Sequence, residues 1–500
     1  MTAASDAGAR TDGAERAEDA GPAPPAAQGP GRRRTRRLEA ALLAASLVAL
    51  ALGGARALTD RFEFAADAEH LVMAWNLAHH GVVSRYDSPG AEPRPTWRRE
   101  PLYPALLAVY LAAATDPAVH DLECLSRGAP PCRPLLRGLK RVNVAIFLAL
   151  AAASFWAARE VLGPGLLAWA AFAAVVANGV FWGLLDDLRT ETAAALALVV
   201  ASTFLHRIAR GSRRARDVAG AGVAFGLLIL TKAIFLYVLP ALLALAGWLA
   251  LRPAGRAAAL RLCAAAALAF GVAGAWMARN AFHGGRFVVA EDRAVLAIRA
   301  EYDTMTWREW RAAWLYYARE LGPVGRRLER DFAPADWERL RRDHPDGFYL
   351  RAKRNVGAAA QRAGPLRPDG REPKGLDAAA RAVILDHLPM HLALIGPLAV
   401  QAALVREAGS RPWPLGAALD RLAFAIVPGL LLASAVALAR GRLAALAFLL
   451  PSLASFALHV GATHAIARYS WPLLPVATIA WAALPALAFG GRTSRANGRP

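Results

Sequence analysis

The sequence predicts an all-α polytopic membrane protein, a bundle of about ten transmembrane helices. Three observations carry that prediction. The 500 residues are 56% hydrophobic, with a mean hydropathy of +0.30. Apolar runs of roughly 20 residues, long enough as helices to cross a bilayer core, recur along most of the chain. Arginines gather in short stretches beside those runs, as the positive-inside rule requires of a membrane protein. The net charge of +20 alone would suggest a nucleic-acid partner, but its distribution gives that partner no support. The spans exclude a soluble enzyme. No internal repeat of the solenoid kind is visible, nor the inverted half-symmetry common in transporters.

Residues 1–37 are rich in Ala, Gly, Pro and charge and are expected to form a disordered cytoplasmic tail. The tail ends in GRRRTRR, and Leu38 to Leu58 then reads as the first span. Its length, and the long tail before it, favour a span over a signal peptide. The basic flank sets the N-terminus in the cytoplasm, so 59–139 becomes a first outer loop. Within it LYPALLAVYLAAA (102–114) is apolar but short, and is expected to be re-entrant or interfacial. Counting it as a span would turn the basic loops HRIARGSRRAR (206–216) and LRPAGRAAALR (251–261) outward, against the positive-inside rule.

Further spans are expected at about 142–161, 165–185, 191–206, 218–232, 234–251 and 258–278, which with 38–58 make up an N-terminal module, 38–278. Residues 279–418 form a polar, mainly helical extracytoplasmic and interfacial section. In it PADWERLRRDH (334–344) suggests a helix capped by Asp336. DHLPMHLALIGPLAVQAAL (386–404), interrupted by Pro and Gly, reads as interfacial. Spans at about 419–439, 443–460 and 467–489 follow, then a cytoplasmic tail, 490–500. Cys263 sits in an apolar run and reads as a small core residue. Cys124 and Cys132 bracket a polar loop and suit a disulfide if that loop is outside the cytoplasm.

The first outer loop opens with FEFAADAEHLVMAWNLAHHG (62–81). As a helix it sets Glu63, Asp67 and His70 on one face and Ala68, Leu71, Val72 and Trp75 on the other. Such a helix could lie on the membrane surface with a carboxylate aimed into a cleft, or could simply present a solvated acidic face. Other polar groups fall at the outer ends of spans: Asp186, Asp187 and Glu191 in DDLRTET, Lys232 in LILTKAIFLYVLP, Arg279 in WMARNAFHGGRF, and Arg468 in HAIARYSWP. Each has a plain structural reading. Lys232 could snorkel, Arg279 and Arg468 could anchor helix ends, Glu191 with Thr190 as cap could serve a helix dipole, and the aspartates could cap a turn. Ionisable groups at membrane depth are expensive, so their gathering on one side suggests one water-accessible pocket. Cations there would hold an anionic, lipid-linked donor, and a carboxylate would act as general base toward an acceptor hydroxyl.

The order of motifs resembles the GT-C glycosyltransferases, and in particular bacterial relatives of the dolichyl-phosphate-mannose protein mannosyltransferases and the lipid A aminoarabinose transferases. The resemblance rests on DAEHLVMAWNLAHHG (67–81), REPLYPALLAVYLAA (99–113), RTETAAALALVV (189–200), GVAFGLLILTKAIFLYVLP (222–240), AWMARNAFHGGRFVV (275–289) and ARYSWPLLPVATIAWAA (467–483). It implies membrane-parallel helices in the first outer loop. It also implies transfer of a sugar from a polyprenyl-phosphate donor to an envelope glycan, lipid or protein, with inversion, outside the inner membrane. Carried over by position, Asp67 resembles the catalytic aspartate, with Glu63, Glu69 and His70 as supporting or acceptor-site residues. Glu191, with Asp186 or Asp187, resembles the second acidic site. Lys232, Arg279 and Arg468 resemble the contacts to the carrier phosphate. Two departures stand out: Glu69 and His70 follow the aspartate where an acidic pair or an aromatic residue is common, and Glu100 occupies an apolar or proline position of the PLYP motif. No cofactor is certain from the sequence, and a divalent metal is compatible with the acidic groups. The rival reading, a transporter or flippase for a lipid-linked or anionic substrate, would place charge through the middle of several spans rather than at their outer ends.

Overall fold

The structure, a computed structural model, describes residues 30–59, 64–85, 93–97, 99–116, 119–290, 294–318, 333–362, 376–403 and 416–489. Among these the regular structure is helical throughout. The chain divides into two compact units, 1–49 and 50–500. In the first, the described residues are the opening turns of α1 (Pro30–Ala57). The second holds the rest of α1 and every other helix.

Seven helical segments among the described residues are long and apolar enough to cross a membrane: Arg37–Ala57, Pro130–Leu162, Glu191–Ala209, Ala233–Ala250, Arg256–Gly284, Leu443–Ala462 and Arg468–Phe489. An eighth would be the pair Ala379–Asp386 and Leu388–Ala403, which meet at a bend of 82°. The chain is therefore an all-α polytopic membrane protein, and three of the ten expected spans take other forms. The stretch 165–185 is two helices, α6 (Leu166–Val176) and α7 (Gly179–Leu184), because Asn178 accepts a bond from Val180 N at 3.0 Å and starts a new helix. The stretch 218–232 is α9 (Ala215–Thr231), and 419–439 lies in a helix over Gly416–Ala439 with a proline inside it. The short apolar run of the first loop is α3 (Leu102–Ala114), whose 13 residues rise only about 20 Å. It packs against α2 (Phe64–His80). Leu71 and Ala74 of α2 are buried against Tyr103, Leu107 and Leu111 of α3. So α2 buries its apolar face against a neighbouring helix.

The centre of the bundle is α8 (Glu191–Ala209). It packs on α5 (Arg133–Leu162), on α9 and on the Leu443–Ala462 helix, and Leu198, Val199 and Ala201 are fully buried. On its far side α9 meets α11 (Arg256–Gly284) through a G-x-x-x-G seam, and α10 (Leu239–Ala250) packs on α11 as well. A methyl group at Gly226 would lie 2.6 Å from Val272 Cβ, so only glycine permits this approach. Cys263 is exposed on α11 rather than buried, because a span is apolar on its outward face as well as its inward one. Cys124, in α4 (Leu122–Arg127), is bonded to Cys132. Thr190 sits at the cap position of α8 but makes no capping bond with its side chain. Asp336 lies inside a short helix, Pro334–Glu338, and accepts from Arg308 instead of capping it.

One ion pair, its lysine buried and its aspartate partly exposed, fixes the segment that leads into α8. Lys140, on α5 and 1% exposed, donates to Asp186 Oδ1 at 2.7 Å and to Thr59 O at 2.9 Å. Asp186 also accepts from Thr59 N at 2.7 Å and Thr59 Oγ1 at 2.5 Å. One turn along α5, Asn143 donates to Asp187 O at 2.6 Å and accepts from Tyr103 Oη at 2.8 Å. A buried charge is tolerated only when paired and hydrogen-bonded, and removing one partner strands the other. Lys140→Met is expected to destabilise the detergent-solubilised protein by roughly 3 kcal/mol. The double variant Lys140→Met, Asp186→Asn should recover part of that loss, measured as thermal unfolding midpoints across the mutant cycle.

Candidate active site

Glu191 is the first residue of α8, where the helix dipole favours a negative charge, and its side chain is almost fully buried. Two cations reach it. Lys232 Nζ lies 3.0 Å from Glu191 Oε1, and Arg468 Nε lies 3.8 Å from the same oxygen. Both arrive by helix breaks. Lys232 leaves α9 in an extended conformation (φ −146°, ψ 102°), and the chain resumes as the 3-10 turn Ala233–Val238. The break frees Ala233 N, which Glu100 Oε1 accepts at 2.9 Å. The acidic departure from the PLYP motif thus ties the first loop to the edge of the site. Arg468 belongs to a second 3-10 turn, Ala467–Leu473. Ahead of it Ala465 has φ +37°, a left-handed conformation uncommon for a residue other than glycine and characteristic of functional sites. Thr463 Oγ1 holds that turn by accepting from Ala465 N at 3.1 Å.

α2 supplies the next layer. His70 meets the ring of Tyr103 edge to face, with centroids 5.5 Å apart. Its Nδ1 is buried and has no hydrogen-bond partner among the described residues. Burial pulls its pKa down to about 4, and the positive charges of Arg99 and Lys232 lower it further than Glu191 and Glu69 raise it. His70 is therefore neutral at pH 7 and close enough to the Glu191–Lys232 pair to feel both charges. Glu69 pairs with Arg99 at 2.5 Å and with Arg85 at 3.5 Å. Asp67 lies in α2, one helical step before His70, and its side chain is outside the described residues, as is the whole of Glu63.

The structure therefore brings Glu191, Lys232, Arg468 and His70 together. It gives Asp186 and Asp187 other contacts: Asp186 is engaged by Lys140 and Thr59, and Asp187 meets Arg189 at 3.3 Å. Arg279 donates to Thr96 O at 3.2 Å and to Asn280 Oδ1 at 2.9 Å, with its guanidinium over the ring of Trp276. It meets the first loop four residues before Glu100. Among the described residues no group of three or more His, Cys, Asp and Glu side chains is placed to hold a metal.

No family model and no curated protein matches this sequence. Among solved structures the chain is similar to the oligosaccharyltransferase of Archaeoglobus fulgidus, determined with zinc and sulfate. The identity is 16%, the TM-score 0.44, and the likeness covers 89% of this chain and 49% of that one. This chain spans about half the length of that protein.

Sequence reasoning did not single out Lys140, Asn143 or Tyr103, nor the histidines 459 and 464. One signal was present for the first: Lys140 is one of only four lysines among 59 basic residues. The histidine pair has no spacing that marks it.

The depressed pKa of His70 has a consequence for stability. Well above pH 6.5 the ring is neutral in both folded and unfolded chains. Between pH 6.5 and about 4 the unfolded chain takes up a proton that the folded site refuses, so stability falls as pH falls through that window. The thermal midpoint is expected to drop across it, and His70→Asn should flatten the drop. A midpoint series in buffers from about pH 7.5 to about pH 4 measures both.

Proposed function

We propose that this protein is an integral membrane glycosyltransferase of GT-C type. It moves a sugar from a polyprenyl-phosphate donor to an acceptor hydroxyl on an envelope glycan, lipid or protein. The observation that carries the reading is the buried Glu191 carboxylate with Lys232 and Arg468 converging on it from two broken helices. Two cations held at one point, with a single carboxylate between them in these contacts, suit a receptor for phosphate oxygens. In this reading Lys232 and Arg468 stabilise the carrier phosphate as it leaves, and Glu191 positions them. Arg279, on the same loop-facing side, extends the cationic surface. Asp67 takes the proton from the acceptor hydroxyl while that oxygen attacks the anomeric carbon from the face opposite the phosphate. The C–O bond to the phosphate breaks with inversion, and the carrier departs as polyprenyl phosphate. His70, neutral beside the pair, supports the acceptor. The Cys124–Cys132 disulfide supports an extracytoplasmic first loop, since such bonds persist in oxidising compartments. Bacterial inner-membrane residence follows from the same reading.

The test is an in vitro transfer assay with radiolabelled undecaprenyl-phosphate sugars and envelope extract as acceptor. Asp67→Asn is expected to lower kcat by about 10²–10⁴-fold, the range for loss of a general base, with donor KM little changed. Arg468→Gln should instead raise donor KM by roughly tenfold or more, the value of one charge-assisted bond. Full activity in Asp67→Asn, with the protein folded and the donor accepted by the parent, removes Asp67 from the mechanism. Substrate flux in proteoliposomes without covalent product would favour a transporter.

A further inference from the structure

His459 lies in the last turn of the Leu443–Ala462 helix, and His464 follows it on the strained turn that delivers Arg468. The ring of His459 stacks on Tyr469 at 4.5 Å and 20°. His464 meets the same tyrosine edge to face at 5.6 Å, and its ring lies 5.6 Å from that of Tyr349. Nδ1 of both histidines is buried and has no hydrogen-bond partner among the described residues. A buried polar atom left unpaired costs about 1–3 kcal/mol. Two of them, on rings packed against one tyrosine, mark a place where a ligand completes the hydrogen bonding.

The chemistry of that ligand follows from the groups. Burial, with the charges of Arg342, Arg468 and Arg299 and the neighbouring His459, holds His464 down to a pKa of about 3, so it is neutral at pH 7. A neutral imidazole offers one donor and one acceptor. Phosphate oxygens only accept at neutral pH, and Lys232 and Arg468 already serve them. A hydroxyl both donates and accepts, which matches what a neutral imidazole offers. We propose that His459 and His464, both packed against the ring of Tyr469, form the subsite that reads the hydroxyl groups of the donor sugar. This deepens the glycosyltransferase reading and rests on it. The cations hold the phosphate, and the imidazoles decide which sugar is carried on it.

The experiment measures binding of two lipids to the full-length protein in nanodiscs, by intrinsic tryptophan fluorescence. One is undecaprenyl phosphate. The other is the undecaprenyl-phosphate hexose or pentose, from a synthetic panel, that the parent binds most tightly. His459→Phe and His464→Phe keep an aromatic ring, somewhat larger than imidazole, and remove the hydrogen bonds. Each is expected to bind undecaprenyl phosphate within about twofold of the parent and the sugar-bearing lipid at least tenfold more weakly. Equal losses for both lipids, or no loss for either, overturn the subsite and leave the glycosyltransferase reading intact. A parent that binds neither lipid overturns both. If a phenylalanine variant fails to fold, His464→Gln, which keeps a donor and an acceptor at a different reach, is scored in its place by a changed order of preference among the panel sugars; an unchanged order counts against the subsite.

Discussion

Glu191 is a carboxylate at the start of the most central helix of the bundle, almost out of reach of solvent, and the rest of the site is arranged by how its charge is met. A lone ionised carboxylate there would be several kcal/mol too costly to keep. Two cations and a helix N-terminus meet it, and neither cation reaches it along a regular helix. Lys232 needs α9 to stop, and Arg468 needs the chain to pass through Ala465 in a left-handed conformation. The broken helices are therefore consequences of one electrostatic demand. The backbone groups they free are taken up locally, by Glu100 at Ala233 N and by Thr463 at Ala465 N.

That arrangement explains why the first loop docks as it does. Glu100 accepts from the broken end of α9, Tyr103 bonds Asn143 on α5, and Thr96 accepts from Arg279 on α11. Three residues within eight positions of the loop thus reach three different helices of the bundle. α2 is carried in on α3 and brings His70 to the charged pair. Asp67 shares the helix with His70, so its backbone position is set by the same contacts.

Much of this was legible in the sequence because membrane burial leaves strong marks. Apolar length marks the spans, and the rarity of ionisable groups beside them marks Glu191, Lys232 and Arg468 as site candidates. What was not legible has identifiable causes. The break of 165–185 hangs on the side chain of Asn178, which an apolar count overlooks. The docking of α2 depends on Tyr103 and Leu107 of a helix that hydropathy leaves ambiguous between span and surface. The face of Cys263 is undetermined where both faces of a helix are apolar. Asp186 and Glu191 look like members of one acidic cluster in DDLRTET, and only distance separates the one bound to Thr59 and Lys140 from the one between Lys232 and Arg468.

The choice of lysine at both positions follows from the same geometry. The chain is overwhelmingly arginine-based, yet two of its few lysines hold the two ends of one short segment: Lys140 binds Asp186, and Lys232 binds Glu191. A lysine ammonium is a compact point charge on a flexible stem, able to meet one carboxylate oxygen and a carbonyl in a narrow space. A guanidinium spreads its donors over a rigid fork and asks for more room and a bidentate partner. At Asp186 that room is occupied by Thr59, and at Glu191 by the approach of Arg468. The segment from 186 to 191 is thus held at both ends by a lysine, which fixes the start of α8.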